Sequence, residues 1–134
     1  MAYLLDTSAW IEYLQGASSK FFERILKEEH CFTPTIVLAE LADNMHRRKV
    51  RSEYEWKIIA NFVMNETSII PITREIATQA AIIKAKKRKK HKDISLADCL
   101  VIATAKEVGA QVLTSDHHIL DEPNTTNIVS LNER

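Results

Sequence analysis

Tyr3-Leu4-Leu5-Asp6-Thr7-Ser8 is a short apolar run that closes on an ionisable carboxylate and two hydroxyls. Such a run predicts a short buried strand, with Asp6 where the strand ends at the edge of a sheet. Val112-Leu113-Thr114-Ser115-Asp116 repeats the form near the other end of the chain. Between the two, apolar runs alternate with helical periodicities. The spacing predicts a helix over 9–14 reaching to Gly16, then one capped by Ser18 or Ser19 with Phe22, Ile25 and Leu26 on one face. A strand over 31–33 follows. Pro34 punctuates it, Thr35 is a natural N-cap, and Val37, Leu38, Leu41 and Met45 carry helical spacing to Arg48. Ser52-Glu53-Tyr54-Glu55 has the capping-box form and opens a helix with Trp56, Ile59, Phe62 and Val63 inward. Next come a strand over 68–72 and a helix capped by Thr73 with Ile76, Ala77, Ala80 and Ile83 on one side. Ser95 opens the most periodic helix, with Ala97, Leu100, Val101, Thr104 and Val108 as its stripe and Gly109 as its stop. Beyond Asp116 the pattern reads as a turn, a loop over 123–127 and a last strand over 128–131. Strands alternating with helices predict a parallel sheet covered on both faces, an α/β sandwich.

The totals bound the rest. At 134 residues, with 46% hydrophobic and 27% charged residues, the chain has the composition of one soluble globular domain spanning 1–134. Apolar runs are far too short for a membrane span, and the N-terminus lacks the basic-then-apolar pattern of a signal peptide. A cytoplasmic protein without a membrane partner is expected. Cys31 and Cys99 form no ligand spacing and read as buried reduced thiols. The formal charge is zero, yet seven of the 18 basic residues fall within 84–92. Eleven basic residues then face 18 acidic ones elsewhere, a balance of −7. A compact basic patch on an acidic body points to a local polyanion contact.

Asp6 and Asp116 close strands, and parallel strands joined by right-handed crossovers end on the same sheet edge. A helix that follows the strand over 31–33 starts at this edge, which places Glu40 roughly 7 Å beyond its cap. The helix opened by Ser95 ends in a tight Gly109 connection to the next strand, so it begins at this edge with Asp98 in its first turn. Ligands bind at the carboxyl edge of open α/β sheets. Two unit charges 4 Å apart repel by about 4 kcal/mol at an effective dielectric near 20, so four carboxylates there need a cation or protons. An all-oxygen donor set suits Mg²⁺ or Mn²⁺ rather than zinc. Thr7, Ser8, Thr114 and Ser115 are placed to orient the carboxylates. Asp43, Glu12, Asp93 and Asp121 read as surface or turn residues.

The order Leu5-Asp6-Thr7-Ser8, Leu38-Ala39-Glu40-Leu41, Leu96-Ala97-Asp98-Cys99-Leu100-Val101-Ile102-Ala103-Thr104-Ala105 and Leu113-Thr114-Ser115-Asp116 resembles the PIN domain, specifically the VapC-type toxin nucleases. The resemblance covers nearly the whole chain. It implies a three-layer α/β/α sandwich with a five-strand parallel sheet in the order 3-2-1-4-5. It also implies Mg²⁺- or Mn²⁺-dependent cleavage of single-stranded RNA to 5′-phosphate and 3′-hydroxyl products, with Asp6, Glu40, Asp98 and Asp116 as the matching acids. A homodimer and an antitoxin that blocks the site are further implications. Many relatives carry another Asp shortly after the fourth acid, where this chain has His117 and His118. Either could contact phosphate or take part in proton transfer; the reading adopted is that of surface histidines.

On this reading Asp6, Asp98 and Asp116 are the principal metal ligands and Glu40 is a ligand or the base that orients water. Lys86, Lys87, Arg88, Lys89, Lys90 and Lys92, with Arg47, Arg48, Lys49 and Arg51 as a second cluster, are candidates for holding RNA backbone. Two other classes compete. A non-catalytic PIN-like binding module would keep the basic patch without metal, against which stand intact acids at all four positions. An aspartyl phosphatase of the haloacid dehalogenase type would need a second Asp two residues after Asp6, and position 8 is Ser.

Overall fold

The computed structural model describes residues 1–17, 20–48 and 53–128. In chain order the elements are β1 (Ala2–Leu5), α1 (Thr7–Glu12) running into a wider turn (Tyr13–Ala17), α2 (Lys20–Glu28), β2 (His30–Pro34) and α3 (Thr35–Arg48). There follow α4 (Glu53–Glu66), β3 (Ser68–Ile70), α5 (Arg74–Lys87), α6 (Leu96–Val108), β4 (Gln111–Thr114), α7 (His117–Leu120) and β5 (Thr125–Asn127). All pairings are parallel and the strand order is β3-β2-β1-β4-β5, as expected from the resemblance.

Neighbouring residues of a strand point to opposite faces of its sheet. Leu4 and Leu5 are both fully buried, and Val112 and Leu113 nearly so, which means helices cover both faces and the molecule is a three-layer sandwich. Burying each such side chain stabilises the fold by about 1.5–3 kcal/mol. The two central strands are therefore fixed firmly in register. Leu5 lies opposite Leu113, so the residues that follow, Asp6 and Thr114, emerge side by side. Asp6 prolongs the ladder by donating its N–H to the Leu113 carbonyl at 3.1 Å.

Helix ends follow their sequence signals where these are local. Thr73 caps α5 by accepting from the N–H of Ile76, and Ser95 caps α6 by accepting from that of Asp98. Gly109, at φ 67°, ends α6 in the left-handed conformation that suits glycine, and β4 begins two residues later. The buried set of α6 is wider than one stripe: Cys99, Val101, Ile102, Ala103, Thr104 and Ala105 are buried, while Ala97, Leu100 and Val108 are half-buried. The helix packs against α5, α3, α7 and β4 and so is covered on most sides.

The C-terminal region corrects the sequence reading. The last strand is Thr125–Asn127, the stretch expected to be loop, and Ile128 already lies beyond it. The apolar Ile128 drew the assignment downstream, whereas the strand itself is polar and sits at the sheet edge. The turn expected after Asp116 is the short helix α7. Ser18, Ser19, Lys49, Arg51, Ser52 and the stretch 129–131 lie outside the described residues.

Candidate active site

Asp6 occupies the cap position of α1 but its side chain makes no capping bond, which leaves the carboxyl facing the sheet edge. Thr114 Oγ1 donates to Asp6 Oδ2 at 2.7 Å and Ser8 Oγ donates to the same oxygen at 3.1 Å. The two hydroxyls lie 3.0 Å apart. Each in turn accepts a backbone N–H: Ser8 from Ser115 at 2.9 Å, Thr114 from Asp116 at 3.0 Å. Their protons are thereby directed toward Asp6. Only 4% of Asp6 is exposed. Burial pushes its carboxyl up to about 6, with the Thr114 hydroxyl pulling the other way and the charge of Glu40 adding to the rise.

Glu40 reaches the same edge from α3, which starts where β2 ends. Thr7 Oγ1 donates to Glu40 Oε1 at 2.7 Å. Burial raises the Glu40 pKa above its ordinary value, Thr7 opposes the rise, and the charges of Asp98 and Asp116 reinforce it. Asp98 stands in the first turn of α6 and is pushed up to about 6, first by burial and then by Asp116, with a smaller contribution from Asp6. Asp116 caps α7, accepting the His118 N–H at 2.9 Å. The acids thus act on one another electrostatically at one sheet edge, while among the described residues the ligand atoms that lie within 4.8 Å of one another are those of Asp116, His117 and His118. Of the predicted orienting hydroxyls, those of Thr7, Ser8 and Thr114 hold carboxylates, while Ser115 joins through its backbone.

His118 is the residue the sequence reading misplaced. Its side chain is 14% exposed, with Nδ1 3.4 Å from Asp116 Oδ1 and 3.9 Å from Asp98 Oδ2. Its Nε2 lies 3.2 Å from Asp93 Oδ1. The surface reading holds for His117, which is exposed. A His two residues after a helix-capping Asp was the available signal, but it needs α7 to be recognised as a helix. Asp93 is 81% exposed, as a turn residue should be, and nonetheless touches the ring.

The basic tract lies alongside α7. Lys86, Arg88, Lys89, Lys90 and Lys92 are exposed. Lys87 is not available in the same way: its side chain is 12% exposed and its Nζ pairs with Asp121 at 2.9 Å and Glu122 at 3.0 Å. His91 Nε2 meets the other oxygen of Asp121 at 2.7 Å. These contacts staple the tract beside the acids. Arg47 and Arg48 are exposed at the far end of α3, about 10 Å beyond Glu40 along the axis, and Arg47 pairs with Asp43 at 3.0 Å.

The PIN domain sequence model matches residues 3–123. No curated protein matches the chain. Solved structures do. A DNA-bound VapBC from Salmonella typhimurium is similar at TM-score 0.78 and 17% identity, over 96% of this chain and 98% of that one. A toxin–antitoxin complex from Klebsiella pneumoniae is similar at TM-score 0.71 and 16% identity, over 94% and 97%. Mycobacterium tuberculosis VapC20, described as a sarcin-ricin loop cleaving toxin, is similar at TM-score 0.67 and 18% identity, over 89% and 93%. At these identities the likeness establishes the fold. The family match over nearly the whole length, together with the 3-2-1-4-5 sheet, shows that the chain belongs to the PIN domain family.

Proposed function

We propose that the chain is an endoribonuclease that hydrolyses single-stranded RNA with a bound divalent metal ion, and that it is the toxin of a toxin–antitoxin pair. The observation that carries this reading is the convergence of Asp6, Glu40, Asp98 and Asp116, with two of the carboxyls pushed up to about 6. Buried acids that raise one another's pKa lack a counter-charge, and a cation among them would offset their repulsion. The donors fit a hard ion such as Mg²⁺ or Mn²⁺. Asp6, Asp98 and Asp116 would hold it, and when bound it would polarise a phosphodiester oxygen and acidify water. Glu40, held by Thr7 at 2.7 Å, would orient the attacking water and take its proton. The exposed lysines and Arg88 of 86–92 would hold the RNA backbone beside the acids, giving affinity and salt dependence rather than sequence choice.

The toxin assignment and the antitoxin partner are supported by similar structures described as a toxin–antitoxin complex and as a sarcin-ricin loop cleaving toxin. A homodimer is part of the same proposal. The cytoplasm is the proposed place of work; among the described residues no helix is long and apolar enough to cross a membrane. The test is cleavage of a mixed single-stranded RNA pool by purified chain with Mg²⁺, Mn²⁺ or chelator, beside Asp98→Asn. Cutting that needs metal and disappears in the variant is the expected result. Wild-type protein that binds RNA yet cuts none under any metal condition would overturn it in favour of a binding module.

A further inference from the structure

We infer that His118 is a nitrogen donor to the ion held by Asp98 and Asp116, oriented by Asp93, so that the site prefers a nitrogen-accepting transition ion to Mg²⁺. This rests on the metal-dependent reading above and specifies which ions that site selects.

The geometry at Nδ1 carries the inference. Atoms bound about 2.1 Å from one octahedral ion lie about 3.0 Å apart when adjacent and about 4.2 Å apart when opposite. His118 Nδ1 stands 3.4 Å from Asp116 Oδ1 and 3.9 Å from Asp98 Oδ2, so shifts of about 0.4 and 0.9 Å would bring these atoms to positions adjacent to Nδ1 around one ion. Asp116, His117 and His118 each bring a ligand atom within 4.8 Å of the others. The second ring nitrogen supplies an independent argument. A metal-ligating imidazole donates its other N–H to a carboxylate, which fixes tautomer and ring plane. Here Nε2 lies 3.2 Å from Asp93 Oδ1, so a proton on Nε2 leaves the Nδ1 lone pair toward the acids. The backbone adds a further tie, because the His118 N–H donates to Asp116 Oδ1 at 2.9 Å. A purely structural ring would serve equally as an imidazolium paired with Asp116. That alternative makes the opposite prediction, since a cation in the site competes with metal.

Imidazole favours Co²⁺, Ni²⁺ and Zn²⁺, whereas carboxylates alone accommodate Mg²⁺. The experiment is calorimetric titration of the untagged chain with Co²⁺ and with Mg²⁺, in wild type, His118→Gln, Asp93→Asn and Asp98→Asn. His118→Gln should weaken Co²⁺ by about tenfold or more while leaving Mg²⁺ within about twofold. Asp93→Asn, which leaves the ring in place, should weaken Co²⁺ in the same direction by about tenfold. Asp98→Asn should weaken both ions. If His118→Gln leaves both affinities unchanged, lowers both equally or raises them, the nitrogen donor is overturned while the acid site stands. If wild type binds neither ion, the metal-dependent reading fails and this inference with it.

Discussion

Trp10 Nε1 donates to Thr33 Oγ1 at 3.2 Å, the Thr33 and Thr67 hydroxyls meet at 2.7 Å, and Thr67 Oγ1 donates to the Val63 carbonyl at 2.8 Å. At the sheet edge a similar relay runs from the N–H groups of Ser115 and Asp116 through Ser8 and Thr114 to Asp6. Both relays are built from hydroxyls that accept one hydrogen bond and donate another, and in both the threonines are buried. They differ in where they end. The first stops on a peptide carbonyl, which carries no net charge and is satisfied by what it receives. The second stops on an ionisable carboxyl that burial holds at about 6. Identical side chains therefore stabilise the fold in one place and, in the other, support a group whose ionisation works against it.

The contrast breaks most severely at the acids. Asp98→Asn should lower RNA cleavage by at least about a thousandfold, beyond the 10–100-fold expected for a residue that only orients a ligand. Single-turnover rates under saturating Mn²⁺ check it, and a loss under tenfold would remove Asp98 from the ligand set.

Stability should move the other way at Asp6. Its carboxyl titrates near 3.8 unfolded and about 6 folded. Between those values the folded chain binds more protons, so stability falls as pH rises from about 4 through about 6 and the full penalty remains above. Asp6→Asn should therefore stabilise the metal-free chain at pH 7 by on the order of 3 kcal/mol, from about 1.36 kcal/mol per pKa unit. Urea unfolding in chelator at pH 4 to 7 reads this directly. A difference between the proteins that does not change with pH would place the effect elsewhere.

Thr33→Val sharpens the comparison from the neutral side. It leaves Trp10 Nε1 without its acceptor and takes from the Thr67 hydroxyl one of its two hydrogen bonds, so it should destabilise by about 1–3 kcal/mol. The loss should be the same at pH 5 and pH 7 and leave RNA cleavage per folded molecule unaltered. The smallest effect is expected in the basic tract. Lys89→Ala and Lys90→Ala should each flatten the salt dependence of single-stranded RNA affinity by about 0.7 in log–log slope, whereas Lys87→Ala should act mainly on folding. Fluorescence anisotropy with the Asp98→Asn protein measures the slopes without cleavage.

Legibility in the sequence followed the range of the interactions. Leu5-Asp6 and Leu113-Thr114 are local signals, and the parallel topology that aligns them follows from chain chirality, so the placement of the acids could be reasoned out. Glu40 and Asp98 followed from the direction of their helices. β5 was not legible, because Thr125, Thr126 and Asn127 show neither apolar alternation nor β-branched apolar residues. α7, at four residues, is too short to display a period, and His118 was lost with it. Lys87 counted as a free cation because its partner Asp121 is 34 positions away and only the folded chain shows the pair.

The register of β1 against β4 also bears on how the protein is made. The hydroxyl that grips Asp6 comes 108 positions later in the chain. At about 5–20 residues per second of synthesis, roughly 5–20 s separate the two residues as they leave the ribosome. Until β4 slides in beside β1, Asp6 has no Thr114 and no Asp116 next to it. A nascent chain can thus settle much of its first half while its acidic centre does not yet exist, and a truncated product that stops before Gln111 never acquires one.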